Sequence, residues 1–465
     1  MSIVRLFMMI INIEMKNKLT RRNFIRTSSM VGVGMAVGLP YIACGTNSQT
    51  KKAAILGGPK AFTGDWPKWP IIGQIEQDEL LTVLNSGGWC RLGNKTAPKF
   101  ENEFQKYTGA KKALAVSSGT SALYTMLGAL GIGPGDEVII PPYTFIATYN
   151  VIVLNYALPV FVDVDIESFQ IDADKIESAI SKDTKVIMPV HIGGSPFDVD
   201  KVLKVSGKHN IPVIEDACQA HLAEWKGKKV GNFGLGGAFS FQASKNLNSG
   251  EGGAIITNSE DFYNKCYSFH HQGQGSDAAS LEPGSGTRGS NLRMTEFQAA
   301  ILLAQMTRIP EQIRQRSDNA AYLTELLSEI PGIKPAKLYE GTTRSAYHLY
   351  MFRYDKEAFA GMDRNKFIRA LNAEGVSCST GYTSLPKEAY VQNLSKNKHY
   401  LKIYGERGMK QWLESISCPV NDRLCEEEAL WFYQTMLLGN RKNMDMIADA
   451  IRKISREAKA ISDKL

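Results

Sequence analysis

Several features are scarce in this chain, and each scarcity removes a class of function. Its seven cysteines (44, 90, 218, 266, 378, 418 and 425) form no CxxC pair and no Cys/His group with metal-ligand spacing. No metal centre is therefore expected, and the cysteines are expected to be thiols rather than a disulfide framework. Net charge is nearly absent outside the N-terminus. Residues 1–43 hold six Lys/Arg against one Glu, which leaves 48 basic and 46 acidic side chains, or +2, for the rest. With no basic run interleaved with aromatics, no nucleic-acid partner is expected. The one weakly apolar stretch near the start, Met30–Ala43, is too short and too rich in glycine for a permanent membrane span. No internal repeat and no low-complexity segment is present. What remains is a chain of 465 residues, 43% hydrophobic, enough for a large core divided over two domains.

The first 54 residues read as an address rather than a fold. Thr20-Arg21-Arg22-Asn23-Phe24-Ile25-Arg26, ahead of the Gly-rich run, resembles a twin-arginine export signal. Three glycines and a proline make that run a poor helix. Met15, followed by Lys16 and Lys18, is a more natural start than Met1. Tyr41-Ile42-Ala43-Cys44 resembles a lipoprotein cleavage site with Tyr where Leu is usual, which makes Cys44 a candidate lipid anchor. The expected organisation is a signal over 1–44, a polar tether over 45–54, a large domain over 55–310 and a small C-terminal α+β domain over 311–465. The expected location is the periplasm or cell envelope.

After an irregular arm rich in Gly, Pro and Trp (57–70), short apolar runs alternate with amphipathic helices. The runs are Ala113–Val116, Val138–Ile140, Val160–Val164, Val186–Val190, Val213–Ile214, Ala238–Phe241 and Ala254–Thr257. Helical segments such as Ser121–Leu130, Phe145–Leu154 and Asp198–Asn210 lie between them. This pattern predicts an α/β fold with a mostly parallel seven-stranded sheet flanked by helices.

Ligands of such sheets bind beyond the carboxyl ends of the strands, so the residues after each run describe the site. The first run leads to Ser117-Ser118-Gly119-Thr120-Ser121 at a helix start, an anion cradle of free amides, hydroxyls and a positive dipole end. The second leads to Pro141-Pro142-Tyr143-Thr144-Phe145, an aromatic plate. Later runs lead to His191, to Glu215-Asp216 and, in the segment Gly236–Ala254, to Lys245 on a loop closed by Gly250-Glu251-Gly252-Gly253. An anion site, an aromatic ring, an imidazole, a carboxylate and an amine are what pyridoxal 5'-phosphate (PLP) requires of a protein.

The segments SSGTSAL, PPYTFIAT, IEDACQAH, FSFQASKN, GEGGA and NLRMTEFQAA occur here in the order found in the DegT/StrS-type sugar aminotransferases. The chain from about Ile55 to Met306 resembles that family, and weaker similarity continues to the C-terminus. The wording is closest to members acting on inososes (keto-cyclitols) and in aminohydroxybenzoate synthesis. The resemblance implies fold-type I of PLP transferases and a PLP-binding large domain. It implies Lys245 as the Schiff-base lysine and proton shuttle, and Asp216 as partner of the pyridine nitrogen. Gln219 would lie beside the cofactor's 3′-oxygen, and Phe145 would stack on the ring. Gly119, Thr120 and Ser240 would bind phosphate, and Asn291 would reach the phosphate of a neighbouring subunit, which implies a homodimer with shared sites. An amino donor such as glutamine or glutamate and a keto-sugar or keto-cyclitol acceptor would follow. His191 and Tyr382 are the candidate substrate residues. One departure is Leu222, where relatives often have Gly, so either the local backbone or the pocket should differ.

In the C-terminal part a strand is expected at Tyr347–Arg353 and helices at Asn365–Glu374, Glu427–Met436 and Met444–Ala458. The loop Gly381–Pro386 is placed to close over a substrate or to act as a plain connection. Two rivals remain open at this stage. A PLP-dependent sugar dehydratase of the same family would carry His at the lysine position, and a non-catalytic envelope protein would keep the fold alone.

Overall fold

The computed structural model describes residues 52–275 and 288–465; the export signal, Cys44 and most of the tether lie outside them. All seven expected strands form: β1 Lys112–Val116, β2 Glu137–Ile140, β3 Leu158–Phe161, β4 Thr184–Ile187, β5 Ile214–Asp216, β6 Gly236–Ser240 and β7 Gly253–Thr257. The ladders β3-β2-β4 and β5-β6-β7-β1 are joined by parallel bridges from Ile187 to Val213 and from Val190 to Asp216. The spatial order is thus β3-β2-β4-β5-β6-β7-β1. Neighbours are parallel except at β7, which runs antiparallel to both β6 and β1. That reversal has a local cause. A parallel return needs a crossover of a dozen or more residues, usually helical, whereas residues 241–252 hold no helix. Both β6 and β7 are buried along their whole length, as strands covered on two faces are.

Helices fill the connections: Gly119–Ala129 after β1, Ala147–Val153 after β2 and Val199–His209 before β5. Ser118 caps the first of them by accepting a hydrogen bond from Ser121 N. A second antiparallel sheet is formed by β8 Ile333–Pro335, β9 Leu349–Tyr354 and β10 Ala429–Tyr433. It is packed under the helices Ile309–Ser328, Arg364–Ala373 and Arg441–Arg456.

The expected helix over Glu427–Met436 is instead centred on strand β10. Ala-Leu-Trp-Phe-Tyr is a continuous apolar run whose first four residues are all buried, and aromatic residues favour a pleated surface. The cores of the two sheets are interleaved along the chain. Ala53 and Phe62 of the N-terminal arm belong to the core of the C-terminal sheet. Leu385, Tyr400 and Trp412 of the C-terminal part complete the core of the large sheet. Helix Ile309–Ser328 serves both, with Ile313 in one core and Leu323 in the other. The arm is tied by Glu374, whose carboxylate accepts from the amides of Ala54 and Ala61 at 2.7 and 2.8 Å and pairs with Lys453 at 2.7 Å. A buried ion pair with this many bonds is well compensated. It sends the arm across the strand ends, where Trp69 donates to Ala243 O at 3.0 Å. The six described cysteines are all free.

Candidate active site

The loop between β6 and β7 is short and internally bonded. Lys245 N donates to Gln242 O, Ala243 N to Gly250 O and Ser249 N to Phe241 O, at 2.8–2.9 Å. Next to the lysine, Asn246 donates from Nδ2 to Ala346 O at 2.7 Å, anchoring the loop to the segment that leads into β9. Lys245 is thereby held on a cavity of about 770 Å³ at the carboxyl ends of the strands. Burial lowers the pKa of its amine below the usual 10.5, with Cys218 and Asp216 pulling the other way. A buried amine that sheds its proton more readily is the form that attacks carbonyls.

Asp216 ends β5 and opens onto the same cavity. Thr148 Oγ1 donates to its Oδ2 at 2.9 Å and Cys218 N to its Oδ1 at 3.2 Å, and no ion pair among the described residues includes it. Its neighbour Glu215 points to the opposite face, as alternation along a strand demands. There it accepts from the amides of Gly231, Phe233 and Gly234 at 2.6–2.8 Å. Glu215 also holds His191, whose Nε2 lies 3.0 Å from Oε2 and whose ring stacks on Phe197 at 4.3 Å. His191 is fully buried and does not line the cavity, so its expected substrate role gives way to a structural one.

The anion cradle is close-packed. A Cβ on Gly119 would lie 2.6 Å from Ser240 Cβ and 2.8 Å from Cys218 Sγ, so only glycine lets the helix start approach Ser240. Gly119, Thr120, Phe145, Gln219, Ser240 and Tyr382 all face the cavity. Gln219 is fixed from both ends, accepting from Gly193 N at 2.8 Å and donating to Tyr382 Oη at 2.7 Å. Phe145 is 56% exposed, a bare ring beside the cradle. Asn291 lies outside the cavity of its own chain, exposed and bridged to His271. Leu222 takes the left-handed conformation, φ +60°, where Gly costs nothing, and its side chain packs into the core without touching the cavity. The departure therefore changes backbone cost and not pocket shape.

Cavity residues without a counterpart among the sequence-based expectations include Trp69, His348, Trp431 and Gln434. The signal for Trp69 was the aromatic-proline arm itself. Trp431 and Gln434 lie within or next to β10, the segment expected to be a helix. His348 is buried and its pKa falls well below 6.5, from burial first and then from the charge of Lys245. Because Asn246 spends its Nδ2 on Ala346 O, its Oδ1 accepts from His348 Nδ1 at 3.3 Å, and Nε2 is left as an acceptor.

An amine of lowered pKa, a buried carboxylate without a cation, a bare aromatic ring and a helix N-terminus that tolerates only glycine fit PLP, which supplies an electron sink when bound. The comparisons with known proteins agree. Residues 70–430 match the DegT/DnrJ/EryC1/StrS aminotransferase family. An L-glutamine:2-deoxy-scyllo-inosose aminotransferase of Streptoalloteichus tenebrarius is 34% identical over 416 residues, covering 87% of this chain and 97% of the relative. A 3-amino-5-hydroxybenzoate synthase of Amycolatopsis mediterranei is 31% identical over 395 residues, covering 84% and 98%. The X-ray structure of an aminotransferase from Psychrobacter cryohalolentis superposes with a TM-score of 0.73 at 32% identity, covering 85% of this chain and 100% of that one. With its strand-end chemistry intact, this chain belongs to the DegT/DnrJ/EryC1/StrS aminotransferase family and is a PLP-dependent aminotransferase.

Proposed function

We propose that the enzyme transfers an amino group from L-glutamine or L-glutamate to the ketone of a polyhydroxylated ring, an inosose-type keto-cyclitol. The observation that carries this reading is the composition of the cavity. Among the described residues, Glu251 is the one charged residue lining it apart from Lys245 and Asp216, and Trp69, Phe145, Tyr382, Trp431 and Tyr433 supply aromatic walls. A neutral polyol suits such a wall, whereas a nucleotide-linked sugar would bring a diphosphate, and among the described residues of this chain no lysine or arginine other than Lys245 lines the cavity. The names of the inosose aminotransferases among the relatives support the same acceptor and donor.

The roles of the residues follow from their surroundings. Asp216, held by Thr148 and Cys218, presents a carboxylate for the protonated ring nitrogen of PLP. Lys245 Nζ, made less basic by burial, acts as nucleophile and then moves the proton at the reacting carbon. Gly119, Thr120 and Ser240 would hold the phosphate, Phe145 would cover the ring, and Gln219 with Tyr382 would orient its oxygen side. Transfer runs in two halves through one cavity, donor first and ketone second. Mixing PLP-loaded enzyme with glutamine should bleach its visible band, and adding a keto-cyclitol should restore it. A panel in which nucleotide-linked keto-sugars restore the band and cyclitols do not would overturn the acceptor.

The proposal includes a homodimer in which the partner subunit's Asn291 completes the phosphate cradle. The apolar side chains of Ile72, Ile75, Leu81, Leu84 and Trp89 are each exposed, and Cys90, next in sequence, bridges to Thr295, four residues from Asn291. Several exposed large apolar side chains in the segment that leads to Cys90, together with an exposed Asn291, suit a second copy. Export by the twin-arginine route, with Cys44 as a lipid anchor, rests on the motif at Arg21-Arg22. That route carries folded cargo, so cofactor would be bound before crossing. Replacing both arginines by lysine should retain the protein in the cytoplasm; unchanged fractionation would refute the signal.

A further inference from the structure

Arg316 is a fully buried cation with no carboxylate partner among the described residues. Its Nε donates to Gln434 Oε1 at 2.9 Å and its Nη2 bonds to the same oxygen, while Nη1 has no partner. One face of the guanidinium lies over the ring of Trp69, 5.1 Å from its centroid. Burial lowers its pKa to about 9, so it remains charged at neutral pH. An unpaired buried charge is costly and persists where something outside the resting chain answers it.

The charge reaches the cavity through Gln434. Both Gln434 and Trp69 line it, and Arg316 stands directly behind them. Arginine has only donors, so it takes the amide oxygen of Gln434 and leaves Nε2 for the cavity. An amide whose oxygen is held by a guanidinium is a polarised N–H donor, matched to an anion. The turn that carries Gln434 cannot drift. Besides Arg316, helix Ile309–Ser328 grips it from two positions, with Gln315 bonded to Leu438 O and Asn319 to Leu437 O and Gly439 O, all at 2.8 Å. His348 offers the complementary chemistry, an imidazole acceptor fixed by Asn246 that suits a hydroxyl and not a carboxylate.

We propose that Gln434, polarised by Arg316, is the subsite for the carboxylate of the amino donor. This rests on the reading of glutamine or glutamate as donor. A keto-cyclitol has no anionic group for this subsite, so one cavity serves two unlike substrates by using Gln434 in one half of the cycle and aromatic walls with His348 in the other.

The test measures the two half-reactions separately on PLP-loaded enzyme. Gln434→Glu gives Arg316 a carboxylate within the chain and sets negative charge against the donor; Gln434→Leu removes the donor group. The half-saturating glutamine concentration should rise about 10- to 100-fold in Gln434→Leu, the range for a hydrogen bond to a charged group, and further in Gln434→Glu. The effect on the ketone half-reaction should be at least tenfold smaller. Calorimetric binding of glutaramate, which has the carboxylate and no amine, should weaken in step with glutamine. The reaction of 4-aminobutanamide, which lacks the carboxylate, should be insensitive to the substitutions. Equal losses in both halves, or glutaramate bound as tightly by the variants as by wild type, would overturn the subsite. If wild type reacts with neither glutamine nor glutamate, the donor reading falls and the subsite with it. If wild type reacts and the variants match it, the subsite alone falls.

Discussion

Asp216→Asn isolates charge from shape at the centre of the site. The carboxylate has two bonds from the protein, from Thr148 Oγ1 at 2.9 Å and from Cys218 N at 3.2 Å. Asn keeps one oxygen for one of these donors. Thr148, the other, already lies 2.9 Å from Thr144 Oγ1 and can turn its hydroxyl there. The cost to folding is therefore about one hydrogen bond, or about 1 kcal/mol. The expected cost to chemistry is larger, because in the proposed assignment the lost charge is the one that would keep the cofactor's ring nitrogen protonated and its electron sink deep. A loss approaching about 3 kcal/mol of transition-state stabilisation slows the donor half-reaction on the order of 10²-fold. Single-turnover mixing of PLP-loaded variant with saturating glutamine reads the rate, and thermal unfolding of the same preparation reads the stability. A folded variant that reacts at the wild-type rate would show Asp216 to be structural, and the assignment of the cavity would have to be redrawn. A variant that loses both fold and activity is distinguished from the expected result by its melting curve.

Lys245→Ala should abolish transamination, and borohydride reduction of wild type should fix a pyridoxyl group on the peptide containing Lys245; label on another lysine, or activity in the variant, would refute the role. Asn291→Ala should weaken PLP retention while leaving Lys245 in place, as measured by equilibrium dialysis. Mixed dimers of Lys245→Ala and Asn291→Ala subunits should recover one intact site, and heterodimers that form without activity would refute a shared cradle. Removing the charge of Glu374 by Glu374→Ala should leave Lys453 buried and unpaired, destabilise by about 3–5 kcal/mol and free the arm that carries Trp69; an unchanged melting curve would contradict that clamp.

The sequence by itself determined the alternation of strands and helices and the chemistry at the strand ends. Period and composition are local properties, and ligands of an open parallel sheet sit where its strands stop. Lys245, Asp216 and the Ser118–Thr120 cradle were legible for that reason. The tertiary structure decided what depends on partners far along the chain. His191 has the same strand-end position as a substrate residue, yet alternation turns Glu215 away from the cavity and Glu215 takes His191 with it. Trp69 enters the site from the aromatic-proline arm, and His348 and Gln434 enter it from the ends of C-terminal strands with no local pattern to mark them. Gln434 in particular follows a run whose composition reads equally as helix or strand, and pairing with Leu349–Tyr354 settles it as strand. Arg316 looks like one more charge on a long polar helix until packing buries it behind Gln434. A short-range pattern specifies how a segment folds back on itself; which distant segment meets it, and therefore which charge goes unanswered, is fixed only when the two cores close around one cavity.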